Sequence, residues 1–198
     1  MKLYAIAEMF YSLQHEGVRA GTPAVFIHFA ECNLTGRKNT AGYDCGAGVP
    51  IRNRLTADEV AKLARICNFR CDWVVLTGGE PALQLDADLI QALHAVGFSI
   101  AIETNGTIAL DQFTVEWVTV SPRLGAELRV RYADEIKYVI QHGDPIPSLL
   151  IPADNCVLSP AVDGDRLDPK DLEWCIRLVK ENPQWRLSVQ QHKIWKIR

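Results

Sequence analysis

Two cysteines, Cys32 and Cys45, lie in one polar, glycine-containing stretch, FAECNLTGRKNTAGYDCGAG (Phe29 to Gly48), directly after an apolar run. Thiolates in such a loop can carry a metal or an iron–sulfur cluster, although two alone seldom complete a site. Further polar segments also follow apolar runs. LTGGEP (Leu76 to Pro81) sets two glycines at a strand end. There the backbone can approach a ligand closely and offer amides to a charged group, and Glu80 could receive an ammonium. ETNG (Glu103 to Gly106) supplies a carboxylate suited to ribose hydroxyls or an amine, while Asn-Gly is equally a turn dipeptide. SLQHEG (Ser12 to Gly17) and QQHK (Gln190 to Lys193) add amide, carboxylate and imidazole groups, and each also reads as plain loop.

The other cysteines read differently. Cys67 and Cys71 have CxxxC spacing, but Cys67 falls on the apolar face of a helical pattern and Cys71 just precedes a strand. With Cys156 and Cys175, which sit among apolar neighbours, they are expected to be core thiols.

Groups scattered along the chain in this way need a framework that gathers them. The 198 residues suffice for one domain, 1–198, with a real core, and 48% hydrophobic and 23% charged residues are ordinary globular values. A net charge of −3 argues against broad phosphate binding, and so against direct nucleic-acid contact. RLGAELRVR (Arg123 to Arg131) is the one candidate basic patch. The opening residues lack a signal-peptide pattern, and no apolar run reaches the roughly 18 residues a membrane span needs. A cytoplasmic location follows, in which thiols are reduced or ligating rather than paired.

The elements alternate. TPAVFIHFA (Thr22 to Ala30) reads as a buried strand. LTADEVAKLARIC reads as a helix, with Thr56 and Glu59 at capping-box spacing and Val60, Leu63, Ala64 and Cys67 on one face. DWVVLTGGEP, FSIAIETNG, VEWVTVSPR, DEIKYVI and NCVLSPAVDG read as strands. DADLIQALHAVG is a helix closed by Gly97, and LDPKDLEWCIRLVKENP is a helix capped by Asp168 with Pro169 at its first position. WRLSVQQHK is expected to close the chain as a strand. Strands alternating with helices imply a parallel sheet, and the chain is too short for a full barrel of about 250 residues. The expectation is an α/β fold: an abridged, partly open (β/α) barrel with a mainly parallel sheet. Its strand ends would bring the polar segments to one mouth.

TGGEP followed one strand later by ETNGT, with FYSLQHEG upstream, resembles the 7-carboxy-7-deazaguanine synthase family of radical S-adenosylmethionine enzymes. The resemblance runs essentially from end to end. It implies an abridged barrel of the radical S-adenosylmethionine type, a homodimer, and an electron donor such as flavodoxin. It also implies conversion of 6-carboxy-5,6,7,8-tetrahydropterin to 7-carboxy-7-deazaguanine, with a [4Fe-4S] cluster on three cysteines, S-adenosyl-L-methionine and Mg2+. By position, Cys32 and Cys45 would be the metal ligands. Gly78, Gly79, Glu80, Glu103 and Ser121 would bind S-adenosylmethionine, and Gln14, Glu16, His28, Thr77 and His192 would line the pterin pocket.

This chain departs from the family pattern at the cofactor mouth. Cys45 is followed by Gly46 and Ala47, where the family has Asp and the Thr that binds magnesium, and the middle cysteine is absent, with glycine at both Gly36 and Gly42. His15 replaces the usual Gly, His28 the usual Arg, Glu31 the usual Gly and Arg123 the usual Lys. Three readings therefore stand at this point. The first is an enzyme with an altered cluster loop, in which His28 could share a face with Cys32 as a nitrogen ligand. The second is a relative that binds a pterin, deazaguanine or S-adenosylmethionine without catalysis. The third is a two-cysteine zinc or redox protein.

Overall fold

Side-chain alternation along β2 (Pro23–Phe29) divides the molecule into an outer and an inner side. Val25, Ile27 and Phe29 are wholly buried on the outer side, under helices. Ala24 and Phe26 face inward, where they meet Val75 and Ala101. The same division recurs in β4 (Trp73–Gly78) and β5 (Ser99–Thr104). There Val74, Leu76, Ile100 and Ile102 join the outer core. Each fully buried aliphatic side chain contributes roughly 1.5–3 kcal/mol.

The structure, a computed structural model, describes residues 2–35, 50–163 and 166–197. The remaining strands are β1 (Tyr4–Leu13), β3 (Asn53–Leu55), β6 (Trp117–Val120), β7 (Ala133–Ile140), β8 (Ala153–Pro160) and β11 (Trp185–Leu187), with a small hairpin of β9 (Val162–Asp163) and β10 (Arg166–Leu167). One nine-stranded sheet has the order β11-β8-β7-β6-β5-β4-β2-β1-β3. Every pairing from β2 to β11 is parallel, while β1 runs antiparallel to both β2 and β3. Strands β3 and β11 end the order and do not pair, so the barrel is open as expected.

The helices form where their end signals stand. Helix α1 (Ala57–Cys67) carries the capping box: Glu59 N donates to Thr56 Oγ1 at 3.3 Å, and Thr56 N to Glu59 Oε2 at 2.8 Å. Its buried face is Val60, Ala61 and Ala64; Leu63, expected inside, is exposed, because the stripe that meets the sheet turns toward Ala61. Helix α2 (Ala87–Ala95) is capped by Asp86, and α3 (Pro169–Glu181) by Asp168 with Pro169 first. Gly97 closes α2 at φ +86°, with Phe98 N reaching back to Leu93 O at 3.1 Å. Helices α1 and α2 cover the β2–β4–β5 part of the sheet, and α3 covers β8 and β11.

Two elements differ from the sequence expectation. Strand β1 had no counterpart in it: Tyr4, Ala5, Ile6 and Ala7 are all buried, on both faces, so the alternation that marks a strand is lost there. The closing segment is only partly a strand. After Leu187 the chain leaves β8, and residues Gln191–Trp195 form a short helix, α4. Gln191 N then donates to His15 O at 3.1 Å, so a contact with the β1–β2 loop replaces further pairing. Among the described residues no helix is long and apolar enough to cross a membrane.

Candidate active site at the carboxyl ends of the strands

Strand register stacks two rows on the inner side. The lower row is apolar: Phe26 pairs with Val75, Val75 with Ala101 and Ala101 with Trp117. The row above it is polar. His28 pairs with Thr77, Glu103 with Thr119 and Thr119 with Glu135, while Thr77 and Glu103 follow directly on the Leu76–Ile102 pair. Lys137, two residues beyond Glu135 on β7, faces the same way, as alternation requires. Layered side chains of this kind fill the interior of parallel barrels.

The β1–β2 loop is laid into this interior. Gln14 N bonds Thr22 O and Gly21 N bonds Gln14 O, both at 2.7 Å, which closes the loop on itself. Gln14 Nε2 donates to Glu103 Oε1 at 2.8 Å, and Thr77 Oγ1 donates to Glu103 Oε2 at 2.8 Å. Lys137 Nζ donates to Glu16 Oε2. Val18 N donates to Glu135 Oε2 at 2.7 Å and Gly17 N to Ser188 Oγ at 2.8 Å. Gly17 is required here: its φ is +72°, and a Cβ would run into the Glu135 carboxylate. Arg19 continues the loop and lays its guanidinium on Trp73, 3.7 Å from the ring centroid.

Burial and charge set the protonation of this layer. Burial alone would raise Glu16, but the Lys137 ammonium outweighs it and holds the carboxyl at about 2. Burial would lower Lys137, yet Glu16, Glu103 and Glu135 together push it up. Glu135 is raised, chiefly by burial. His28 is lowered by burial, against the pull of Glu8, whose Oε1 lies 3.1 Å from its Nδ1.

Above the layer opens a cavity of about 430 Å³. Glu16, His28, Thr77, Gly78, Glu103, Ser121 and His192, all singled out from sequence, line it. His15 and His192 meet across one corner with ring centroids 3.9 Å apart. Gln14 is buried behind, where it holds Glu103. His15, Arg123, Lys137 and Gln190 also line the cavity and were not assigned from sequence. Lys137 had a signal: DEIKYVI puts Glu135 and Lys137 at alternate positions of an apolar strand, which is unusual unless both face a polar interior.

The LTGGEP turn is held by bonds within the chain. Gly79 N donates to Phe29 O at 2.8 Å and Glu80 N to Glu31 O at 2.7 Å, so these amides serve the chain's own β2 end. The glycines permit that approach: a Cβ on Gly78 would stand 2.6 Å from Phe29 O, and one on Gly79 would strike Glu31 O. Glu80 is wholly buried and absent from the cavity lining. Its oxygens accept from Thr104 Oγ1 and Asn105 N, each at 2.7 Å, and from Ala82 N at 3.0 Å. Glu80 thus ties one strand-end turn to the next.

Cys32 follows β2 at the same mouth and is half-buried, its Sγ accepting from Leu34 N at 3.4 Å. Neighbouring Asn33 is bound to the ETNG turn through Asn105 and Thr107. Cys45, with Gly36 and Gly42, lies outside the described residues. The other thiols are fixed elsewhere. Cys71 Sγ bonds Pro23 O and Trp73 O at the amino ends of β2 and β4, opposite the mouth, and Cys67 ends α1. Cys156 on β8 and Cys175 on the buried face of α3 belong to one core cluster. The core-thiol expectation holds for all four, with Cys67 only half-buried. A cluster on three cysteines therefore does not fit this chain: four of its six thiols are placed elsewhere, which leaves Cys32 at the mouth and Cys45 in the sequence beyond it. In the candidate basic patch, Arg123 turns into the cavity and Arg131 stands beside Asp111, so its charges do not form one face.

An open, mostly parallel β/α sheet with a polar cavity at its carboxyl ends defines an α/β protein of the partial-barrel class. QueE from Escherichia coli has this fold too, with a TM-score of 0.71 at 24% identity over 95% of this chain and 94% of that one. No family model matches the sequence. The 7-carboxy-7-deazaguanine synthase of Bacteroides thetaiotaomicron is 39% identical over 193 residues, 98% of each chain. That of Burkholderia multivorans is 39% identical over 215 residues, 98% of this chain and 99% of the relative. The chain belongs to the 7-carboxy-7-deazaguanine synthase family.

Proposed function

We propose that the chain makes 7-carboxy-7-deazaguanine, the product its relatives are named for, from 6-carboxy-5,6,7,8-tetrahydropterin bound in this cavity. The observation that carries the reading is the polar row of half-buried His28, Thr77 and Glu103 with buried Glu135 under a cavity of about 430 Å³, a volume suited to a small fused-ring ligand. Glu16, Thr77, His28 and His192 supply the polar contacts. Gly78 and Ser121, with Glu103 in the row below them, take S-adenosylmethionine, and Gly79 and Glu80 hold that side in shape. The protein works in the cytoplasm as a homodimer served by a reduced donor such as flavodoxin, without membrane or nucleic-acid partners.

The thiolate count supports a second reading, in which the same cavity binds a pterin or deazaguanine without the reductive step. One experiment separates the two. The protein is reconstituted with iron and sulfide under anaerobic conditions, reduced, and given S-adenosylmethionine and the carboxytetrahydropterin. Formation of 5′-deoxyadenosine and 7-carboxy-7-deazaguanine is the expected result. An iron-free protein that yields neither, yet binds the pterin by calorimetry, overturns the synthase reading and leaves the binding one.

A further inference from the structure

Lys137 has an unusual setting for a lysine. Its side chain is 13% exposed, on the inner face of β7, and it touches Glu16, whose side chain is 9% exposed on the β1–β2 loop. Two more carboxylates, Glu103 and Glu135, bear on the same ammonium. They are already engaged: Glu103 accepts from Gln14 and Thr77 on its two oxygens, and Glu135 accepts from the Val18 amide. Glu16 is the carboxylate that both touches Lys137 and lines the cavity.

A buried carboxylic acid and a buried carboxylate read opposite ligand edges. The neutral acid carries a donor, whereas the anion only accepts, with two oxygens. A cation seated behind the carboxylate selects the second form and strengthens any bond it accepts. We propose that Lys137 is a positioning residue: its ammonium fixes Glu16 as a two-oxygen acceptor for the paired N–H donors on one edge of a 2-amino-4-oxopyrimidine ring. That ring is shared by pterins and deazaguanines, so the inference rests on the pterin reading above and adds the group that sets the acceptor. Gln190, which also donates to Glu16, and His15, whose Nδ1 lies 3.9 Å from Glu16 Oε1, complete its surroundings. The charged and titratable groups around the pair are His15, Glu103, Glu135, Arg123 and His192, with Arg19 and His28 beyond them. All are unchanged in the variants below, so their own titration cancels when a variant is compared with the parent.

The test is fluorescence titration of the full chain with 6-carboxypterin from pH 6 to pH 9. Lys137→Met is expected to bind about 30-fold more weakly than the parent at pH 6, and the deficit should shrink as pH rises and Glu16 ionises unaided. Lys137→Arg should keep the parent's profile, and Glu16→Gln should lose affinity equally at every pH. Because Lys137 acts through Glu16, adding Lys137→Met to Glu16→Gln should cost nothing further. That double variant removes both members of the contacting pair and leaves no uncompensated Glu16 carboxylate, so it reports even if Lys137→Met alone does not fold. A Lys137→Met deficit that is constant with pH, or a double variant much weaker than Glu16→Gln, overturns the inference. A parent protein that fails to bind 6-carboxypterin at any pH overturns the pterin reading instead.

Discussion

Thr104 Oγ1 donates to Glu80 Oε1 at 2.7 Å, and with the Asn105 amide on Glu80 Oε2 this bond joins the turn after β4 to the turn after β5. A buried carboxylate therefore joins the two turns that shape the mouth. Burial raises Glu80 and three donors oppose that rise, so its role is to accept. In Glu80→Gln one oxygen becomes a donor and confronts the Asn105 amide. A loss of about 1–3 kcal/mol is expected from leaving a buried donor unsatisfied. Urea unfolding measures it; an unchanged midpoint would show that the two turns are held by other bonds.

The two glycines before Glu80 are expected to resist substitution unequally with glycines elsewhere. A Cβ at Gly79 has nowhere to go, because the blocking atom is the backbone oxygen of Glu31. Gly125 has φ +67° and open space around it. Gly125→Ala should cost roughly 1–2 kcal/mol, the strain of a left-handed residue. Gly79→Ala should exceed that clearly, since the β2 end itself must shift. Thermal midpoints of the two variants side by side decide the matter, and equal midpoints would mean the Gly79–Glu31 approach relaxes freely.

Local signals survived translation into structure, and long-range ones did not exist in the sequence to be read. Thr56 and Asp168 cap helices where caps were legible, and Gly97 closes α2, because capping is decided within a few residues. The convergence of strand ends was legible too, since a parallel sheet fixes it. The partners inside were not. Glu16 and Lys137 meet only because the β1–β2 loop folds inward across the open barrel, and nothing near either residue announces the other. Glu80 adds a contact the sequence did not announce: the carboxylate beside two glycines is buried and holds the next turn. QQHK misled for a third reason, as its strand pattern yields to one backbone bond with His15.

Glu103 is held between two neutral donors, so each should matter to its orientation. Thr77→Val removes one hydroxyl at nearly constant shape and leaves Glu103 Oε2 without its partner. Because Thr77 and Glu103 both line the cavity, the variant should bind 6-carboxypterin about tenfold more weakly, the worth of roughly 1.4 kcal/mol. Calorimetry at fixed pH reads it directly. Unaltered affinity would place ligand recognition elsewhere in the cavity.

The Glu16–Lys137 pair should also appear in the acid stability of the free protein. Glu16 titrates at about 2 when folded and near its ordinary 4.5 when unfolded. Between those values the unfolded chain binds the extra proton, so stability rises with pH there. The contribution is fully present above pH 4.5 and is lost as pH falls toward 2. Glu16→Gln lacks it, so its stability deficit relative to the parent should narrow over that window and stay constant above it. Chemical denaturation at a series of pH values tests the sign, and a deficit that widens on acidification would contradict it.

The cysteines give the sharpest test of what the mouth can hold. Cys71, Cys156 and Cys175 are packed away from it, and Cys67 ends a helix on the far side, so only Cys32 and Cys45 remain. A cubane cluster with one open iron asks for three protein thiolates, and a chain offering two should load less than about four irons on reconstitution. Restoring a thiol by Gly42→Cys, or separately by Gly36→Cys, should raise iron and sulfide toward that value at whichever position is the vacancy. Cys32→Ala should abolish loading, and Cys156→Ala should leave it unchanged while lowering stability. Iron analysis with the visible thiolate-to-iron absorption reads all five proteins on one scale. Full loading of the parent would mean that a group other than cysteine completes the ligand set, and His28, whose Nδ1 is held by Glu8, is the first to substitute in that event.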